Sequence, residues 1–327
     1  MIKRYNSRIM QMYEAVRIEE ENLLKARRAE IEQKIPQVMN IEREIARMGV
    51  RLSIQLISGS KDIDALIAAQ KEKITELRVR KSELLVSRGY PLDYLELHYR
   101  CSRCNDTGYI GAKKCPCFKS KLISLYYGGS DLKRMLRENN FSNFDIELYS
   151  DSKRASEPKS PRKNIEATLA KAWKFIEEFS DSNEKLLFFG GPGTGKTFLS
   201  HCIAKELLDR GWFVVYKTSE ELVSDLKKIR FETDAELEDI LLNCDLLIID
   251  DLGSEQITDF SKTELFNFLN KKLLKGSKMI VSTNCGLESL ANLYSERISS
   301  RLLGEFTLCK FYGNDIRISK NIKETKK

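Results

Sequence analysis

Residues 190–197 read Gly190-Gly191-Pro192-Gly193-Thr194-Gly195-Lys196-Thr197. Glycines at this density let backbone N–H groups converge on an anion without side chains in the way. The spacing is that of a phosphate-binding loop, which requires a strand before it and a helix after it. The apolar run Leu186–Phe189 and the helix-like Phe198–Ala204 supply that setting. Lys196 can then reach the β- and γ-phosphates of ATP, and the Thr197 hydroxyl can ligate magnesium. All eight residues are candidates for holding the nucleotide. Downstream, Leu246-Leu247-Ile248-Ile249 ends in Asp250-Asp251. Four apolar residues followed by carboxylates fit a strand that delivers Asp250 to the magnesium shell and Asp251 to the attacking water as general base. A further apolar run, 278–283, ends at Asn284, whose amide can orient that water and sense the γ-phosphate.

A second chemistry lies upstream. Cys101 and Cys104, then Cys115 and Cys117, form two short pairs within a chain of eight cysteines. Two such pairs on tight turns can place four thiolates around one tetrahedral zinc ion, leaving no position for water, so the site is structural. A redox dithiol and an iron–sulfur cluster use the same residue type. Asn105-Asp106-Thr107-Gly108 between the pairs reads as a hairpin turn. Arg103, Lys113 and Lys114 offset thiolate charge, and His98 is a substitute ligand by proximity. Cys202, Cys244, Cys285 and Cys309 sit among apolar residues, as buried thiols of a reduced compartment do.

The chain around these two sites falls into four zones. Residues 1–89 are rich in Glu, Arg, Lys, Ile and Leu. Leu24, Ile31, Val38, Ile45 and Leu52 recur every seventh position, as do Ile67 with Ile74 and Leu77 with Leu84. Such a stripe buries one helix face against another. It predicts an antiparallel hairpin over 8–57 and 62–88, interrupted at Pro36, turned at Ser58-Gly59-Ser60 and ended by Gly89 and Pro91. Residues 90–130 hold the cysteine module. Residues 131–163 read as a linker, with Phe141 and Phe144 pinning it to the fourth zone. Residues 164–327 alternate strands (186–189, 212–216, 246–249, 278–283) with helices, which predicts a doubly wound parallel α/β sheet.

The 327 residues carry a net charge of +7 with 42% apolar and 31% charged residues, which excludes a wholly disordered chain. Residues 164–327 carry 23 basic and 26 acidic groups, so the basic surplus lies before them and suits a polyanion or an acidic partner. No apolar run is long enough to span a membrane and no signal peptide opens the chain, so no membrane partner and a cytoplasmic location are expected.

Taken in order, Gly190–Thr197, Leu246–Gly253, Ile280–Asn284, Tyr294–Gly304 and Tyr312–Arg317 make the segment from about 164 to 320 similar to the AAA+ core of DnaC/DnaI-type bacterial replicative helicase loaders. These share a clade with IstB-like transposition ATPases and the DnaA initiator. Gly89-Tyr90-Pro91 and Cys101–Phe118 resemble loader variants with a coiled arm and a zinc module. The resemblance implies an AAA+ fold without a C-terminal lid domain and ATP hydrolysis with magnesium. It makes Arg297 the arginine finger that reaches a neighbouring subunit's ATP, hence self-association, with Arg301 beside it, and makes Arg317 the sensor-2 arginine. It also implies that the N-terminal region grips the replicative DNA helicase hexamer (DnaB-type) and that the core binds single-stranded DNA, for which Lys227, Lys228 and Arg230 are candidates. An IstB-like ATPase assisting transposition, and a nucleotide-gated interaction protein with little turnover, are the competing readings.

Overall fold

The computed structural model describes residues 3–57, 63–127, 132–155, 157–294 and 296–318. The expected turn at Ser58–Ser60 lies outside them. Residues 10–115 form one compact unit, and residues 116 onward, with the first turns of the N-terminal helix, form the other.

Three helices make most of the first unit: α1 (Lys3–Lys34), α2 (Pro36–Ile57) and α3 (Ile63–Ser87). The break between α1 and α2 falls at Pro36, which has no N–H to donate. Of the heptad residues, Leu24, Ile45, Leu52, Ile67, Ile74, Leu77 and Leu84 are half-buried, and two are in the core. Ile31 and Val38 are fully buried and cluster with Ile35, Leu85 and Leu95. The Lys81–Glu42 ion pair at 3.2 Å joins the end of α3 to the start of α2, so these two helices run antiparallel. Glu30 draws the following loop in, accepting from Tyr90 (2.9 Å), Tyr94 (2.6 Å) and Lys34 (2.7 Å). The Lys34 ammonium first, then the two phenols, hold the Glu30 carboxyl at about 2, below its ordinary 4.5. A depressed carboxyl stabilises the fold above the unfolded value and loses that contribution as pH falls from about 4.5 toward 2. Urea midpoints of wild type and Glu30→Gln are therefore expected to differ at pH 6 and to converge near pH 2. A gap that persists at pH 2 would assign the difference to packing instead.

The cysteine segment differs from expectation in one respect. Asn105-Asp106-Thr107-Gly108 does not turn the hairpin. Asn105 and Asp106 both take left-handed backbone conformations (φ 49° and 52°), and the Asp106 carboxylate accepts from the N–H groups of Arg100 (2.7 Å) and Cys101 (3.0 Å). These residues shape the knuckle between the first two cysteines and the strand. The hairpin itself, β1 (Tyr109–Ile110) with β2 (Lys113–Lys114), turns at Gly111-Ala112. Asx chemistry serves either purpose, and local sequence does not distinguish them.

The second unit starts with α4 (Pro116–Tyr127) and α5 (Leu132–Glu138). The stretch read as a linker then lies against the core. Phe141 stacks on Trp173 at 4.4 Å and Phe144 meets Phe198 edge-on at 5.6 Å, so both aromatics pin it as expected. The sheet elements come next: α6 (Pro161–Glu177), β3 (Leu186–Gly190), α7 (Lys196–Asp209), β4 (Val214–Thr218), α8 (Ser219–Glu232), α9 (Ala235–Asn243), β5 (Leu246–Asp250), α10 (Asp259–Leu274), β6 (Lys278–Thr283), α11 (Leu287–Leu293), α12 (Glu296–Glu305) and β7 (Thr307–Phe311). Five strands pair in the order β4-β5-β6-β3-β7, all parallel. Leu186, Phe188, Leu246, Ile248 and Ile280 point into the cluster that contains Ile165, Phe175, Leu199 and Ile203 from α6 and α7. Their neighbours Leu187, Leu247, Ile249, Met279 and Val281 are equally buried, so both faces are covered, as parallel sheets require. Strand β7 was not anticipated. Among the described residues no helix is long and apolar enough to cross a membrane.

Candidate nucleotide-binding site

β3 runs into the phosphate loop, and Gly195 stands at the N-cap of α7 in a left-handed conformation (φ 97°) with no side-chain cap. The first N–H groups of α7 are therefore left facing the loop, where an anion can take them. Three glycines are required by close approach, the first being Gly190, where a Cβ would lie 1.9 Å from the Phe311 carbonyl oxygen. A Cβ on Gly193 would lie 2.0 Å from the Asp315 carboxyl carbon, and one on Gly195 would lie 2.3 Å from the Tyr149 hydroxyl. Lys196 is buried (5% exposed) and donates to the carbonyls of Gly190 (2.9 Å) and Gly191 (2.7 Å). Burial pulls its ammonium down to about 8, against the opposing pull of Asp251 and Asp250. Phosphates would replace those carbonyls and favour its charged form.

The two aspartates part at the end of β5. Asp250 stays in the sheet, 4% exposed, with Thr197 Oγ1 donating to its Oδ2 at 2.9 Å. Asp251 takes a left-handed backbone (φ 59°), donates its N–H to Ser282 Oγ at 2.9 Å and turns toward the cleft. Asn284 Nδ2 donates to Asp251 Oδ1. Burial, and then the charge of Asp250, raise the Asp251 carboxyl above its ordinary value. A general base benefits from that direction of shift.

A cleft of about 770 Å³ opens over the loop, lined by Pro192–Phe198, Asp251, Ser282, Asn284 and Arg317. Its far wall is one that the sequence reading missed: Asn139, Asn143, Phe144, Asp145, Leu148 and Tyr149, from the segment before α6. Apolar rings beside amide and carboxylate groups are the kind of surface a purine needs. The chain after β7 closes the third side. Ile316 N–H donates to Gly193 O at 2.8 Å, and Asp315 pairs with Arg317 at 3.0 Å. An incoming phosphate would compete with Asp315 for Arg317. Of the remaining expected residues, Arg297 is exposed on α12, is not among the residues lining this cleft and makes no ion pair among the described residues. Arg301 pairs with Glu305 at 3.8 Å. Behind them, Tyr294 donates to the buried Glu255, which also accepts from Gly253 N–H at 2.8 Å, tying the residue before α12 to the loop after Asp251.

The four cysteines come together. Their Sγ atoms all lie within 4.8 Å of one another, and Cys101 and Cys115 are 3.8 Å apart. A tetrahedral zinc–thiolate site, with bonds of about 2.3 Å, needs sulfurs about 3.8 Å apart, so the donor set fits. His98 is not in the group. It is held by Asp93 and Arg27.

Against known proteins, residues 158–307 match the family of IstB-like ATP binding proteins. The replicative helicase loader DnaC of Escherichia coli K12 is 31% identical over 138 residues, 41% of this chain and 56% of that protein. The match to the IstB-like family covers just under half of this chain. The chain's fold is a five-stranded parallel α/β sheet carrying a phosphate loop, preceded by a helical region. The chromosomal replication initiator protein DnaA of Lactococcus lactis MG1363 is also 31% identical, over 41% of this chain and 30% of its own length. The chain thus spans about half the length, or less, of these curated relatives. A crystal structure of the DnaC helicase loader superposes with a TM-score of 0.45 and 22% identity, covering 55% of this chain and 99% of that one. The matched segment contains the phosphate loop, both aspartates, Asn284 and Arg297, whereas Arg317, Phe144 and Tyr149 lie beyond its limits.

Proposed function

We propose that this chain is an ATP-hydrolysing loader that delivers a replicative DNA helicase hexamer to single-stranded DNA. The observation that carries the reading is the cleft, where the phosphate loop, Asp251 and Asn284 line one cavity of nucleotide size and Asp250 stands behind Thr197. The curated DnaC relatives give the helicase as the partner.

In this reading the loop N–H groups and Lys196 bind the phosphates, and Arg317 leaves Asp315 to join them. Thr197 and Asp250 fit a magnesium site, because a hydroxyl and a carboxylate already touch at 2.9 Å beside the phosphate end. Magnesium supplies neutralisation of charge on the phosphate oxygens when bound. Asp251 takes the proton of the attacking water, and Asn284 fixes the carboxylate that does so. Arg297, exposed and free of ion pairs among the described residues, serves the site of an adjacent copy. That requires a head-to-tail assembly. One zinc ion on the four thiols holds residues 101–117. The 1–89 arm grips the helicase, and Lys227, Lys228 and Arg230, all on α8, meet DNA. Zones 90–130, 131–163 and 164–327 serve as metal module, connector and motor.

Co-purification with the cognate replicative helicase, with ATP and with ADP, tests the reading. Nucleotide-dependent retention is expected, with labelled single-stranded DNA bound in a salt-sensitive manner. The IstB description of the matched family favours one rival, a transposition ATPase. ATP binding with no retention of helicase in either state would select that rival.

A further inference from the structure

Asp250 receives three hydroxyls, two of which the sequence does not announce. Its Oδ2 accepts from Tyr216 at 2.6 Å as well as from Thr197, and its Oδ1 accepts from Ser282. Register explains the convergence. Thr218 of β4 pairs with Asp250 of β5, and Tyr216, two residues earlier, projects on the same face. On the other side, Ile249 pairs with Val281, which sets Ser282 beside Asp250. The phenol ring is itself held. It packs on the His201 imidazole at 4.7 Å, and His201 Nδ1 is bridged to the Asn139 amide at 2.9 Å. Burial and the charge of Asp250 both raise the Tyr216 hydroxyl, which keeps it a donor.

The donors on Oδ2 are not equivalent. Thr197 lies on the phosphate loop, where its hydroxyl has other work once nucleotide and magnesium arrive. Tyr216 lies on the neighbouring strand and has no phosphate to turn to. If Thr197 leaves, the phenol is the donor that remains on Oδ2, with Ser282 on Oδ1, and it keeps Oδ2 from being drawn into the loop.

We propose that Tyr216 is a positioning residue for the site: its hydroxyl holds the Asp250 carboxylate in the orientation that meets the magnesium–nucleotide complex. This rests on the reading of the cleft as a magnesium–ATP site.

Tyr216→Phe keeps the ring on His201 and removes only the donor. The test compares wild type and variant by fluorescence of a labelled ADP, first without metal and then as magnesium is titrated. A hydrogen bond to a charged group is worth about 1.5 kcal/mol, or roughly tenfold. The expected result is metal-free ADP affinity within about twofold of wild type, with the magnesium half-saturation raised about tenfold. An unchanged magnesium titration would overturn the proposal and leave the phenol merely satisfied by Asp250. Equal losses with and without metal would also overturn it, as a packing effect. The same titration on Tyr216→Leu keeps the test open if the first variant does not fold, with the same shift expected. A wild type that binds no nucleotide, by contrast, removes the underlying reading and this inference together.

Discussion

Replacing Lys196 with alanine is expected to leave the empty protein at least as stable as wild type while weakening ATP binding about 100-fold and abolishing turnover. The two halves have separate causes. Lys196 is 5% exposed, and its ammonium donates to loop carbonyls. Burial has already pulled it down to about 8, so its charged form is uncomfortable there. Removing it relieves that cost. With a triphosphate present the balance reverses, because the ammonium then faces the densest negative charge in the site. Two charge-assisted hydrogen bonds lost without replacement come to about 3 kcal/mol, which is the 100-fold. Thermal unfolding with and without a slowly hydrolysed ATP analogue reads both halves. At a ligand concentration of about 100 times Kd, wild type gains about 2.7 kcal/mol, and the variant at the same concentration gains only about 0.4 kcal/mol. A variant that keeps the full ligand shift would mean that the phosphates bind elsewhere.

That prediction concerns a residue legible from sequence alone, and the reason is distance along the chain. Gly190–Thr197 is one contiguous turn whose glycines and lysine must act together, so its order carries its geometry. The strands 186–189, 246–249 and 278–283 are legible because a sheet buried on both faces needs unbroken apolar runs. Strand β7 escaped because it is an edge. Lys310 is exposed between the buried Cys309 and Phe311, Leu308 is 38% exposed, and the alternation is too short to separate from a loop. Strand β4 was placed about two residues early, since Trp212 and Phe213 are apolar but precede the ladder.

What sequence does not encode locally is strand order. Tyr216 and Ser282 flank Asp250 only because β4 and β6 lie on either side of β5. Read singly, each is an ordinary strand residue. The wall built by Phe144, Leu148 and Tyr149 has the same cause. Its residues precede the sheet by a whole helix and return to the loop only through packing, with Tyr149 donating to Thr194 O at 3.2 Å. A pair of aromatics in a short polar stretch was the available signal, and it indicated anchoring rather than a cleft. Arg297 stands at the other extreme: it is exposed on α12, and the geometry of one chain gives it no target in the cleft.

Metal removal is expected to have a still larger and more local effect. Stripping zinc with a strong chelator, or Cys115→Ser, should unfold residues 101–117 while leaving the ATP-dependent thermal shift of the core in place. Few apolar side chains hold this segment. Between Arg100 and Cys115 only Cys104, Asp106, Gly108 and Cys115 are buried, and the hairpin has two residues per strand. Such a segment cannot offset its own conformational entropy. Four thiols within 4.8 Å would repel as thiolates and pack poorly as thiols, so a bound metal is the expected source of stability. Structural zinc contributes about 10–16 kcal/mol in small peptide sites, far beyond any single contact here. Zinc stoichiometry by elemental analysis, expected at one per chain, together with amide exchange over 101–117 before and after chelation, measures it directly. Protection that survives a metal-free preparation would show that the knuckle stands on the Asp106 hydrogen bonds and the short hairpin alone.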